Sequence, residues 1–248
     1  MAALTLTLQA AVAVLVLGFG VLALRVAPGP GTSPRTATWF MAGVTFTLEG
    51  VVAVIHSSAA IIAMLNQGSP FYRTYLKLMP SGNDARSVLV LGFAAGLVWV
   101  LLLRRPWPSA AAIYAIACAL LVTGFLLGFL EPPVEQQRGG SHFSLISLLG
   151  AGTTVLLLAS LYRGMMNDHV DWLLWVALAL YAAREAVLSN IQTVLAWAGL
   201  GGGWAPPPLS MMWTMLVSSC VMVACSLRRL ALARAGGEVP GLLERLRG

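Results

Sequence analysis

Seven long apolar runs, each broken off by a short stretch of helix breakers, constrain this chain more than any motif it carries. The runs lie at 4–25, 37–65, 86–103, 109–130, 143–163, 171–198 and 209–230. Between them stand "APGPGTSP", "NQGSPFYR", "RRPWPS", "EPPVEQQRGGS", "MMNDHVD" and "GLGGGWAPPP", rich in the residues that end helices. A helix needs about 20 apolar residues to cross the hydrocarbon core of a bilayer. The expected fold is therefore all-α: a polytopic integral membrane protein with seven transmembrane helices in one domain, residues 1–248. Residues 231–248 form a short cytoplasmic tail.

Composition supports the same class. Of 248 residues, 58% are hydrophobic and only 10% charged, against about 25% charged in a soluble domain. Too little charge is available to cover a water-facing surface. The net charge of +6 does not point to nucleic acid, because the basic residues are scattered among loops and tail with no aromatic-interleaved patch. "MAALTLTLQAAVAVLVLGFGVLAL" lacks a basic leader region and runs straight into an apolar span, so it reads as a first helix, not a cleaved signal. Cys118, Cys220 and Cys225 lie inside apolar runs at no metal-binding spacing and read as small buried side chains.

The positive-inside rule sets direction. With the N-terminus outside, the cytoplasmic face holds Arg25, Arg35, Arg104, Arg105, Arg163, Arg228, Arg229, Arg234, Arg245 and Arg247. The outer face holds Arg73, Lys77, Arg86 and Arg138. The expected orientation is N-terminus out and C-terminus in. Short loops and scarce lysine point to a bacterial inner membrane.

Two local patterns stand apart from the spans. In "FYRTYLKLM", Phe71, Tyr72 and Tyr75 share one helical face, with Arg73 and Lys77 on the other. Such a turn is expected to lie in the headgroup interface, or to act as a lid over an outer pocket. Gly92/Gly96 and Gly124/Gly128 form two GxxxG patterns, expected to let neighbouring spans approach closely.

The second and sixth spans align without gaps. "WFMAGVTFTLEGVVAVIHSSAA" falls over "WVALALYAAREAVLSNIQTVLA", matching Trp39 with Trp175, Glu49 with Glu185, and His56 with Gln192. The first and fifth spans end on Arg, and the third and seventh on Arg-Arg pairs. Together these features point to two parallel three-helix units joined by the fourth span, a 3+1+3 plan of a kind found among transporter folds.

Ionisable residues at membrane depth cost about 2.5–3.5 kcal/mol on insertion scales, so they face a bundle interior. Glu49 lies midway along the second span, on one face with Thr45, Ala53 and His56. In the sixth span Tyr181, Glu185, Ser189 and Gln192 form a second polar stripe, and Arg184 adjoins Glu185. Neighbours in sequence point about 100° apart on a helix and do not pair face to face. Arg184 is expected to find its partner on another helix, with Glu49 the candidate. The candidate pocket is Glu49, His56, Tyr181, Arg184, Glu185 and Gln192. An interhelix charge pair can equally do no more than fix packing.

Several chemistries are disfavoured. Seven helices with an outer N-terminus resemble a rhodopsin in outline, but Lys77 is the only lysine and no Schiff-base residue exists for retinal. Haem is not expected, because His56, His142 and His169 fall at different depths. No HExxH, GxSxG or phosphate-loop motif occurs, and no metal site or cofactor is expected. The 3+1+3 plan is similar to that of PQ-loop sugar transporters, whose Pro-Gln dipeptide is missing here; that family is not assigned. Three functional readings stay open. The first is a pocket that binds a small ligand or ion for transport or receptor-like sensing. The second is a non-catalytic subunit of a larger membrane complex, and the third an intramembrane enzyme. Expected partners are membrane lipids, with other membrane subunits or further copies of the chain.

Overall fold

The structure, a computed structural model, describes residues 2–27, 29, 33–66, 68–73, 89, 93, 96–103, 158–164, 166, 171–182 and 208–235. Among the described residues regular structure is helical, with no strand. The elements are α1 (Ala2–Val26), α2 (Pro34–Leu65), α3 (Trp172–Ala182) and α4 (Pro208–Arg234), with a single π-helical turn at Val98–Leu102 between α2 and α3. Three helices are long and apolar enough to cross a membrane, at Leu4–Val26, Pro34–Leu65 and Met212–Arg234. The apolar segment of α3, Trp172–Tyr181, is shorter. The span expected at 109–130 lies outside the described residues, as do parts of the third, fifth and sixth.

Helix ends follow local chemistry. α2 starts at Pro34 because Ser33 caps it: the Ser33 hydroxyl accepts from the Thr36 amide at 3.1 Å, and Pro34 occupies the first turn. Proline there loses nothing, since its missing N–H would have no helical acceptor. α4 runs through Arg228 and Arg229 to Arg234, beyond the expected end at 230. Guanidinium groups favour the negative end of a helix dipole, so these arginines extend the helix they were expected to close.

Four hydroxyls inside the apolar helices are satisfied by their own backbone. Thr38 donates to the Pro34 carbonyl and Thr45 to that of Met41, both at 2.8 Å. Ser218 and Ser226 donate likewise to Met215 and Met222, at 3.0 and 3.1 Å. A polar group kept on its own helix needs no partner from a neighbour.

Glycine sets the closest helix contact. α1 and α2 pack antiparallel: Leu24 meets Gly43, Gly20 meets Thr47, and Leu17 meets Gly50. A Cβ on Gly20 would lie 2.2 Å from the Thr47 nitrogen, and one on Gly50 would lie 2.5 Å from the Leu17 Cα. Only glycine admits backbones this close. α4 packs on α1 and α3. It runs parallel to α1, since Met212 and Met215 share one cavity with Gln9 and Val12, and Arg229 and Ala233 another with Val26 and Ala27. Phe46 sits at the centre of the core, with ring centroids 5.2 Å from Phe19, 5.7 Å from Phe93 and 5.5 Å from Tyr181. Each contact is edge-to-face, the arrangement aromatic quadrupoles favour.

Candidate functional site

Glu49 stands midway along the 32-residue α2 and is fully enclosed, with 0% exposure. Its neighbours on that face are Thr45 one turn before and Ala53 one turn after, both buried. Tyr181, near the end of α3, is 1% exposed and donates its hydroxyl to Glu49 Oε1. Phe46 packs its ring edge against Tyr181 one turn from the carboxyl group, holding the phenol in position. α2 and α3 are thus tied by a buried hydrogen bond.

A small cavity opens further along the same face of α2. His56 and Ser57 line it with Gln9, Val12, Ala13 and Val16 of α1, and Met212 and Met215 of α4. The Ser57 hydroxyl is buried, and among the described residues no hydrogen-bond partner reaches it. The cavity volume is about 30 Å³. A water needs roughly 10–15 Å³ by this measure, so two waters or one partly hydrated ion fit. Organic ligands fill sites of roughly 300–1,000 Å³. Ser57 lies eight residues from Glu49, about 12 Å at 1.5 Å per residue.

Of the residues singled out from sequence, Glu49 and Tyr181 are in direct contact and His56 lines the neighbouring cavity. Arg184, Glu185 and Gln192 lie outside the described residues, and with them the proposed Glu49–Arg184 pair. Sequence reasoning missed Gln9 and Ser57. Gln9, a lone amide in an apolar first span, was the available signal; Ser57 was hidden by the ordinariness of serine in helices.

The other patterns are described in part. Ser69 caps a helical turn that starts at Pro70, its carbonyl and hydroxyl accepting from the Tyr72 amide at 3.1 and 3.2 Å. Phe71 and Arg73 are exposed on that turn, whereas Tyr75 and Lys77 lie outside the described residues. Gly96 is helical and buried; Gly92, Gly124 and Gly128 lie outside the described residues. The glycines with demonstrated close contacts are Gly20, Gly43 and Gly50. Gly43 and Gly50, two turns apart on one face, carried a signal that a search for GxxxG does not find.

Among the described residues no three His, Cys, Asp or Glu side chains converge as a metal site would require. Comparison with protein-family models, curated proteins and solved structures finds no match to this chain.

Proposed function

We propose that this chain is a seven-helix membrane bundle, N-terminus out, that binds a proton or small cation at Glu49 for transport or sensing. The observation that carries this reading is an enclosed carboxyl group midway along a membrane-length helix, hydrogen-bonded to a tyrosine of another helix. Such a group is expensive at that depth. The Gln9–His56–Ser57 cavity supports an ion over a larger ligand, since it has water-sized volume and a hydroxyl without a partner among the described residues. On this reading it is a hydrated stop on the route to Glu49 from the outer side. Arg184, Glu185 and Gln192, expected from the sequence to share this polar centre, lie outside the described residues.

The parallel course of α1 and α4 supports an odd number of spans from first to last, as seven requires. The 3+1+3 plan draws support from the tryptophans the alignment matches. Trp39 packs on Phe19 of the preceding span and Trp175 on Tyr162 of its own, each at 6.5 Å.

A ligand that binds only the folded state raises the melting temperature with its concentration. The test is thermal unfolding of the purified chain across sodium, potassium and proton concentrations, with Glu49→Gln beside the wild type. The expected result is a melting temperature that rises with one of these ions, and a Glu49→Gln protein that stays folded but no longer responds. Flux measured in proteoliposomes then separates transport from sensing. An unresponsive wild type, or a variant that responds as the wild type does, overturns the proposal. The charges are then packing, and the chain is better read as a membrane-complex subunit.

A further inference from the structure

Ser57 of α2, 2% exposed, and Ser219 of α4, fully enclosed, each keep a hydroxyl that meets no hydrogen-bond partner among the described residues. Ser57 borders the water-sized cavity, where Gln9, Val12, Ala13 and Val16 recur at the spacing of one face of α1. Its hydroxyl is one bond from Cβ, so no rotamer carries it far from the face that Ala53 and Ser57 present there. Ser219 lies one turn beyond Met215, which lines the cavity from α4. α4 runs parallel to α1 and so antiparallel to α2. The step from Met215 to Ser219 therefore goes the same way as that from Ser57 through Ala53 to Glu49. At 1.5 Å per residue it covers about 6 Å, half the rise from Ser57 to Glu49.

We propose that internal water held by Gln9, Ser57 and Ser219 leads to Glu49, and that the ion it delivers is a proton. The inference rests on the ion reading at Glu49 and narrows it to one ion. A buried polar atom without a protein partner calls for ordered water, and a water needs two or more polar neighbours. Ser57 supplies one on α2, and Gln9 lies on the cavity-lining face of α1. Hydroxyl and water both donate and accept. A proton passes along them as each oxygen takes one from its neighbour and gives one to the next. A sodium or potassium ion has to move bodily, and about 30 Å³ leaves room for about two waters, too few for its hydration shell. Shedding that shell needs a ring of oxygens to replace it, and Ser57 and Gln9 bring one neutral oxygen each. Among the described residues the titratable groups at this centre are Tyr181, bonded to Glu49, and His56 at the cavity wall; the α1 and α4 faces that line the cavity carry none.

The experiment follows the Glu49 carboxyl by infrared difference spectroscopy on the full chain in lipid, with Glu49→Gln to identify its band. The band should fade as pH rises and stay unchanged when sodium or potassium replaces choline at constant pH and ionic strength. In heavy water it shifts as deuterium replaces the acid proton, and the rate of that shift reads access from water. Ser57→Ala/Ser219→Ala removes both hydroxyls at little change in volume. It should slow the shift at least tenfold while the pH midpoint of the band stays where it was. A loss of packing alone would open the layer and speed the shift. Ser226→Ala should exchange at the wild-type rate, since Ser226 donates to the Met222 carbonyl and does not line the cavity.

Should the double variant fail to fold, Ala13→Val narrows the cavity from its buried place on α1 and must slow the shift with both serines intact. A band that sodium or potassium removes at constant pH overturns the proton and leaves Glu49 standing as an ion site. A shift as fast in the serine or Ala13 variants as in the wild type overturns the water route. A Glu49 band that answers to neither pH nor ions removes the ion reading itself, and this inference with it.

Discussion

Tyr181 and Glu49 are 132 residues apart in sequence and share one hydrogen bond. In a buried layer such a bond is worth more through what its loss exposes than through its own strength. Tyr181→Phe keeps the ring that packs on Phe46 and removes only the donor. It should cost about 1–3 kcal/mol, the penalty for leaving a buried polar group one partner short. Combined with Glu49→Gln in a double-mutant cycle of thermal or denaturant unfolding, it should show coupling of at least about 0.5 kcal/mol. Additive effects would mean that the two side chains meet without depending on each other. Both residues were legible in the sequence as members of polar stripes, but their contact was not. A stripe fixes a face of a helix; which face of which neighbour it meets depends on how the helices are rotated.

Helix starts were the most local feature of the elements, and the sequence shows why. Ser33 and Pro34 define the first turn of α2 without help from elsewhere. Ser33→Ala should lower stability by about 0.5–2 kcal/mol, as cap removal does in general; an unchanged melting temperature would mean that interhelix packing alone holds that turn. Close packing was less legible, because composition does not tell which glycines face another backbone. Gly20→Ala should cost about 1–3 kcal/mol, as overpacking does, since its new methyl would meet the Thr47 backbone at 2.2 Å. Gly18→Ala, with nothing within 4 Å of the added carbon, should be neutral or slightly stabilising. Equal melting temperatures for the two variants would contradict the α1–α2 interface. The glycines most visible as a motif were Gly92/Gly96 and Gly124/Gly128, because GxxxG is a short-range pattern. The α1–α2 contact uses a two-turn spacing on one helix and a single glycine on the other.

At the scale of the whole molecule, the prediction concerns sidedness. On the proposed seven-span topology, residue 248 should be cytoplasmic and residue 1 on the other side. A fluorescent protein fused after Gly248 should glow in a bacterial host, and an alkaline phosphatase fused there should be inactive. The reverse pattern would overturn the orientation, and an even number of spans would place both termini on one side.

The amino-acid sequence by itself determined the all-helical class of this protein and the approximate extent of its first two and last long helices. The transfer of a residue into an apolar medium is a property of that residue and its near neighbours, and it accumulates along a run. The same local logic placed Glu49, Tyr181 and His56 on polar faces. Only the tertiary structure decided that Tyr181 reaches Glu49 and that Gln9 and Ser57 join His56 around a water-sized space. Those meetings depend on the rotation and offset of whole helices, which glycine contacts and aromatic packing set between segments far apart in the chain.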